Sequence, residues 1–116
     1  MANLQSIMEL NLEEGMPTCE EAMELLKDTI ARRKKDKAAK CIVIIHGYGS
    51  SGVGGKIRVS ARKWLNAQCE KHIIKSVVYG EDFDVTNPKA REIKSKYQGL
   101  DSLTRGWNHG ITIIEL

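Results

Sequence analysis

Apolar and polar residues recur along this chain in blocks whose spacing marks strands and helices in turn. Met8, Leu10 and Leu12 alternate with Glu9 and Asn11, which predicts a short strand with one apolar face. Glu13-Glu14-Gly15-Met16-Pro17 reads as a turn. Thr18-Cys19-Glu20-Glu21 has the spacing of a capping box, so Thr18 caps a helix and Glu21 reaches back to it. Ala22, Leu25, Leu26, Thr29 and Ile30 then fall on one helical face, and the helix ends among bases near residue 34. Cys41-Ile42-Val43-Ile44-Ile45 is a continuous apolar run rich in β-branched residues, the pattern of a strand buried on both faces. Strand, helix and strand in this span predict a right-handed βαβ crossover.

The buried strand stops at His46-Gly47-Tyr48-Gly49 and enters a glycine-rich loop, Ser50-Ser51-Gly52-Val53-Gly54-Gly55. A second helix opens with Lys56-Ile57-Arg58; Ile57, Ala61, Trp64, Leu65 and Gln68 form its apolar stripe, while Arg58, Arg62 and Lys63 point away. Residues 73–79 read as a third strand and 111–116 as a fourth. Between them, 81–106 is polar and turn-rich, with a break at Asn87-Pro88 and a short helix over Lys89 to Lys96. Few apolar anchors are legible there, so this long segment is expected to be a mobile flap.

Length and composition bound the picture. The 116 residues, 41% hydrophobic and 28% charged, suit one α/β domain with a real core that needs neither disulfides nor metals. No apolar run approaches the roughly 20 residues that span a bilayer, and the first residues lack a basic-then-apolar signal, so no membrane partner is expected. Cys19, Cys41 and Cys69 are odd in number and lack metal-ligand spacing, which predicts reduced thiols and a cytoplasmic protein. A net charge of +3 permits a polyanionic partner without demanding one. Its distribution is uneven. Residues 9–24 hold six glutamates and no base, whereas 32–40 hold six bases against Asp36. A helix satisfying its own dipole and a phosphate-contacting patch both fit that pattern.

The topology gathers chemistry at one sheet edge. Parallel strands ending together bring Asn11 and Glu13 near His46, Gly47, Tyr48 and Gly49. A last strand antiparallel to 41–45 brings Trp107, Asn108 and His109 there too. Bases hold phosphates, aromatic rings stack on nucleobases, and histidine moves protons, so the set suits binding or cleaving a phosphodiester. His46 is the first candidate for proton transfer, with Glu13 and His109 behind it. Lys56, Arg58, Arg62 and Lys63 are candidate phosphate contacts, with Gly47, Tyr48, Gly49, Trp107 and Asn108 beside them. No metal-ligand set and no cofactor motif is present, although a carboxylate at Glu13 is compatible with a divalent ion.

These residues resemble the Smr (small MutS-related) domain family over nearly the whole length. Leu10-Asn11-Leu12-Glu13 is similar to a Leu-Asp-Leu-His-Gly-like first-strand motif, and Glu20-Glu21-Ala22 opens the following helix as in that family. His46-Gly47-Tyr48-Gly49 matches a His-Gly-x-Gly strand end, followed by a basic helix with the pair Trp64-Leu65. Gly110-Ile111-Thr112-Ile113-Ile114-Glu115-Leu116 resembles the family's closing Gly-Ala-Thr-Val-Val-Glu-Leu. The resemblance implies a two-layer α/β sandwich of βαβαββ type, a four-stranded mixed sheet with two helices on one face, like the C-terminal domain of a bacterial translation initiation factor. It also implies a nucleic-acid partner, DNA or RNA; several members nick DNA or cleave RNA, some on ribosomes. The sequence departs from the pattern at Asn11 and Glu13, which stand where the family has Asp and His, and in a longer glycine loop and a longer third connection. Binding without efficient cleavage is therefore the expected outcome.

Three other readings compete. A non-catalytic protein-interaction module fits the acidic first turn of the first helix. A hydrolase-like domain fits His46-Gly47-Tyr48-Gly49-Ser50-Ser51-Gly52, but 116 residues lack the downstream Gly-x-Ser-x-Gly elbow and the larger sheet. A phosphate-ligand module fits the glycines, but Lys56 is not followed by Ser or Thr as a Walker loop requires.

Overall fold

The structure is a computed structural model that describes residues 7–15, 17–35, 40–47, 52–83, 86–97, 100 and 110–116, with the backbone alone for 52–54. Its elements are β1 (Ile7–Asn11), α1 (Cys19–Lys35), β2 (Cys41–Ile45), α2 (Gly52–Glu70), β3 (Ser76–Tyr79), a 3₁₀ turn (Gly80–Asp82), α3 (Pro88–Lys96) and β4 (Ile111–Glu115). The four strands form one mixed sheet in the order β1-β2-β4-β3. β1 and β2 are parallel, and β4 runs antiparallel to both β2 and β3. The α/β class and the four-stranded mixed sheet are as expected from the sequence.

Local signals explain most boundaries. The capping box forms: Glu21 N–H donates to Thr18 Oγ1 at 3.1 Å, and Thr18 N–H donates to Glu21 Oε1 at 2.9 Å. The predicted break at Asn87-Pro88 is a helix start, where Asn87 Oδ1 accepts from the N–H groups of Lys89 and Ala90 and Pro88 takes the first turn. At the other end of α2, His72 sits at φ 63°, in the left-handed region. Ile73 N–H reaches Gln68 O at 2.9 Å and His72 N–H reaches Cys69 O at 3.0 Å, the paired bonds of a Schellman cap. That cap ends the helix, and β3 begins at Ser76 rather than at residue 73.

The pleat sends alternate strand residues to opposite faces, and both faces are covered. Leu10, Ile42, Ile44 and Ile114 pack under Leu26 and Ile30 of α1 and Ile57, Ala61 and Leu65 of α2. This is the expected layer of two helices on one face. Leu25, placed on the apolar face by its spacing, is 41% exposed. On the opposite face, Cys41, Val43, Val78, Ile111 and Ile113 pack against Phe83, Ala90, Ile93, Tyr97 and Leu100. The expectation of a flap with few anchors is corrected here: those five residues of the 81–106 segment are buried, and α3 closes a second core. Glu115 fixes α3 further. Its Oε2 accepts from Tyr97 Oη at 2.9 Å and from Lys96 Nζ at 3.1 Å.

Candidate functional site

Strand register builds the edge that carries the motifs. Asn11 pairs with Ile45 across β1 and β2, and Ile45 pairs with Ile111 across β2 and β4. The ends of β1 and β2 and the start of β4 therefore lie together. His46 and Gly47 both donate their backbone N–H to Gly110 O, at 2.9 and 3.0 Å. Asn11 Oδ1 accepts from Glu13 N–H at 2.8 Å, so the amide shapes the turn that follows β1. Gly47 adopts φ +79°, and a Cβ there would overlap the Glu13 carboxylate. Backbone conformation and close approach both require glycine at this position. The sequence placed Glu13 beside the His46 loop, and it lies there.

His46 is buried, and both of its ring nitrogens are engaged. Nδ1 lies 3.0 Å from Gly47 O, and a carbonyl only accepts, so Nδ1 carries the proton. Nε2 lies 2.8 Å from Thr112 Oγ1. Thr112 Oγ1 in turn accepts from Arg62 Nε at 2.9 Å, which directs the threonine hydroxyl proton onto His46 Nε2. The chain Arg62 to Thr112 to His46 to Gly47 is thus fully paired in one sense. Burial pushes the His46 pKa down to about 4, and the positive charges of Arg62 and Arg58 lower it as well, against the hydrogen bond to Gly47. The ring is neutral and offers no nitrogen to a ligand in this arrangement.

Arg62 anchors the other end of that chain. Its two terminal nitrogens form a fork with Glu81 at 2.7 and 2.7 Å, and Nη2 also donates to Ile111 O at 3.0 Å. The guanidinium lies 4.0 Å from the centre of the Tyr79 ring. The expectation that Arg62 points away from the core is therefore corrected. It is 9% exposed and joins α2 to β3, β4 and the 3₁₀ turn. Helical spacing sets it at the border of the apolar stripe, and distant partners pull it inward. Sequence reading gave no role to Thr112, Glu81 or Tyr79. The one signal for them was a polar residue, Thr112, in the apolar run of β4.

The remaining candidates divide. Lys56 and Lys63 are exposed and Arg58 is half-buried, all on α2. That helix begins at Gly52, not at Lys56, so Gly54 and Gly55 lie inside it and the glycine loop is shorter than expected. Tyr48, Gly49, Trp107, Asn108 and His109 lie outside the described residues. Among the described residues no three His, Cys, Asp or Glu side chains group as a metal site. Among the described residues that meet at the edge, the Asn11 oxygen already accepts from Glu13 N–H and the His46 nitrogens are occupied, which leaves the Glu13 carboxylate beside them. These described residues alone do not make the several-oxygen set that a divalent ion takes. Among the described residues no helix is long and apolar enough to cross a membrane.

Comparisons with known proteins bear on this edge directly. Neither the curated proteins nor the solved structures contain a match to the chain. A family model for the Smr domain, a family linked in general to nucleic-acid binding and endonuclease activity, does match, over residues 13–82. That span runs from the turn after β1, through α1, β2, the His46–Gly47 edge, α2 and β3, to the 3₁₀ turn that supplies Glu81. It takes in more than half of the sequence, and the chain belongs to the Smr domain family.

Proposed function

We propose that this chain is a nucleic-acid-binding Smr domain whose motif edge contacts the phosphate backbone without cutting it efficiently. The state of His46 carries the reading. Hydrolysis of a phosphodiester needs a group that takes a proton from water and one that returns a proton to the leaving oxygen. His46 Nδ1–H is committed to Gly47 O and Nε2 to the Thr112 hydroxyl, and burial holds its pKa near 4. Such a ring is a weak base and is deprotonated at neutral pH, so it fixes the loop rather than moving protons. Asn11 has no titratable group and is bonded to the turn. What the edge retains is contact chemistry: exposed Lys56 and half-buried Arg58 on α2, with the Arg58 charge acting on His46. Ammonium and guanidinium groups on a helix that follows a glycine loop suit phosphate oxygens.

Binding to single- and double-stranded DNA and RNA across a salt series tests this, with a turnover assay run with and without divalent metal. Affinity is expected to fall steeply with salt, because each neutralised phosphate releases counterion, and K56E/R58E is expected to lower the log–log slope by about 2. No cleavage with turnover is expected. Absence of binding at low salt refutes the reading, and so does turnover that disappears in His46→Ala.

A further inference from the structure

The two ends of the sheet differ in charge. Around the motif end lie Glu13, Glu14, Glu20, Glu21, Glu81 and Asp82, against Lys56, Arg58 and the already paired Arg62. At the opposite end, where β1, β2 and β3 begin and β4 finishes, the charge is reversed. The last turn of α1 supplies Arg32, Arg33, Lys34 and Lys35, and the turn between α2 and β3 supplies Lys71 and Lys75. Lys40 stands immediately before β2.

Hydrogen bonds hold these segments together as one surface. Lys34 Nζ donates to Ile73 O, which ties the end of α1 to the α2–β3 turn. Lys75 N–H donates to Glu115 O at 2.8 Å, and Leu116 N–H donates to Lys40 O at 2.7 Å, so Lys75 and Lys40 flank the end of β4. The acids nearby, Asp28, exposed Glu70 and Glu115, are outnumbered by these bases. Asp28 pairs with Arg32 at 3.1 Å, and Glu115 is buried and bonded to Lys96 and Tyr97. The helix dipole accounts for the bases of α1, but Lys40 and Lys75 sit at strand ends, where no helix dipole calls for them. Convergence of like charges from three segments costs self-repulsion, which a polyanion relieves.

We propose that this basic pole is a second contact surface for the phosphate backbone of a nucleic acid, opposite the motif edge. The inference rests on the nucleic-acid reading above and adds a site to it. Its bases are mainly lysines, compact charges on flexible stems that follow a backbone rather than read base edges, so contact here is independent of sequence. The poles are separated by at least the five residues of β2, about 16 Å, so engaging both enlarges the footprint on the strand.

The experiment compares three proteins on the same oligonucleotides across a salt series: the full chain, K35E/K71E and K56E/R58E. Lys35 and Lys71 are exposed and lie on different elements, so their reversal tests the joined surface, and circular dichroism checks that each variant is folded. K35E/K71E is expected to weaken binding at least tenfold for all sequences and to lower the salt slope by about 2. K35Q/K71Q is expected to fall between it and the unmodified chain. Binding by the full chain that is unchanged within twofold in folded K35E/K71E overturns the second surface while leaving the motif edge intact. No binding by the full chain overturns both. Polyglutamate of matched charge is expected to compete poorly; equal competition would assign the pole to an acidic protein and overturn the nucleic-acid assignment.

Discussion

Thr112→Val removes one oxygen from the centre of the buried polar chain while preserving side-chain shape. In the native protein that hydroxyl accepts from Arg62 Nε at 2.9 Å and donates to His46 Nε2 at 2.8 Å. Thr112 is fully buried, so no water replaces either bond. A buried polar group left unpaired costs about 1–3 kcal/mol, and two are created here. Arg62 keeps its fork with Glu81 and its bond to Ile111 O, which limits the loss on that side. The expected destabilisation is about 2–4 kcal/mol, most of it from the orphaned histidine nitrogen. A domain of this size loses roughly 4 °C of Tm per kcal/mol, so Tm falls by about 8–16 °C. Thr112→Ser is the control: it keeps the hydroxyl and loses a buried methyl, for about 1 kcal/mol. Both variants are compared by urea and thermal unfolding followed by circular dichroism. If Thr112→Val is no less stable than Thr112→Ser, the chain from Arg62 to Gly47 contributes nothing to stability, and the account of His46 as a fixing residue is wrong.

Two further perturbations probe other features. The His46 pKa falls from 6.5 in the unfolded chain to about 4 in the fold, so the unfolded state binds more protons between those values. Its contribution is complete above pH 6.5 and is lost as pH falls toward 4, by about 3 kcal/mol in all, and unfolding midpoints of His46→Gln are expected to lack that acid slope. At the α2 cap, His72→Gly relieves a left-handed conformation at φ 63° and is expected to stabilise the domain by about 0.5–1 kcal/mol in urea unfolding, whereas His72→Ala is expected to leave stability near its present value.

What the sequence revealed and what it hid divide by the range of the interactions. The Thr18–Glu21 cap, β2 and the alternation of Leu10 and Leu12 depend on neighbours within a few residues, and they were legible. So was the meeting of Asn11, Glu13 and His46, because strand direction alone dictates it. Arg62 was misread because charge on a helix is ordinarily solvated, and the partners that overturn this, Glu81 and Thr112, are 19 and 50 residues away. The opposite face of the sheet was misread for another reason. An apolar run such as 41–45 demands cover on both faces, and two helices supply only one. The missing cover was present in the spacing of Ala90, Ile93, Tyr97 and Leu100, a helical period hidden among charged residues. The pairing of the His46 ring with Thr112, 66 residues away, is likewise encoded by no local pattern.

The strand order has a bearing on how this molecule assembles. β4 is the last of the four strands to be synthesised, yet it lies between β2 and β3 and supplies Ile111, Ile113 and Ile114 to the two cores. Before it docks, β1 and β2 can pair through their parallel crossover, but β3 has no neighbour. The register that joins Cys41 to Glu115 closes most of the chain into a loop, an entropic barrier that local helix formation does not lower. Until then β2 presents an open, wholly apolar edge of the kind that pairs with other chains. A fold whose central strand arrives last is most exposed to misassembly in the interval before that strand is inserted.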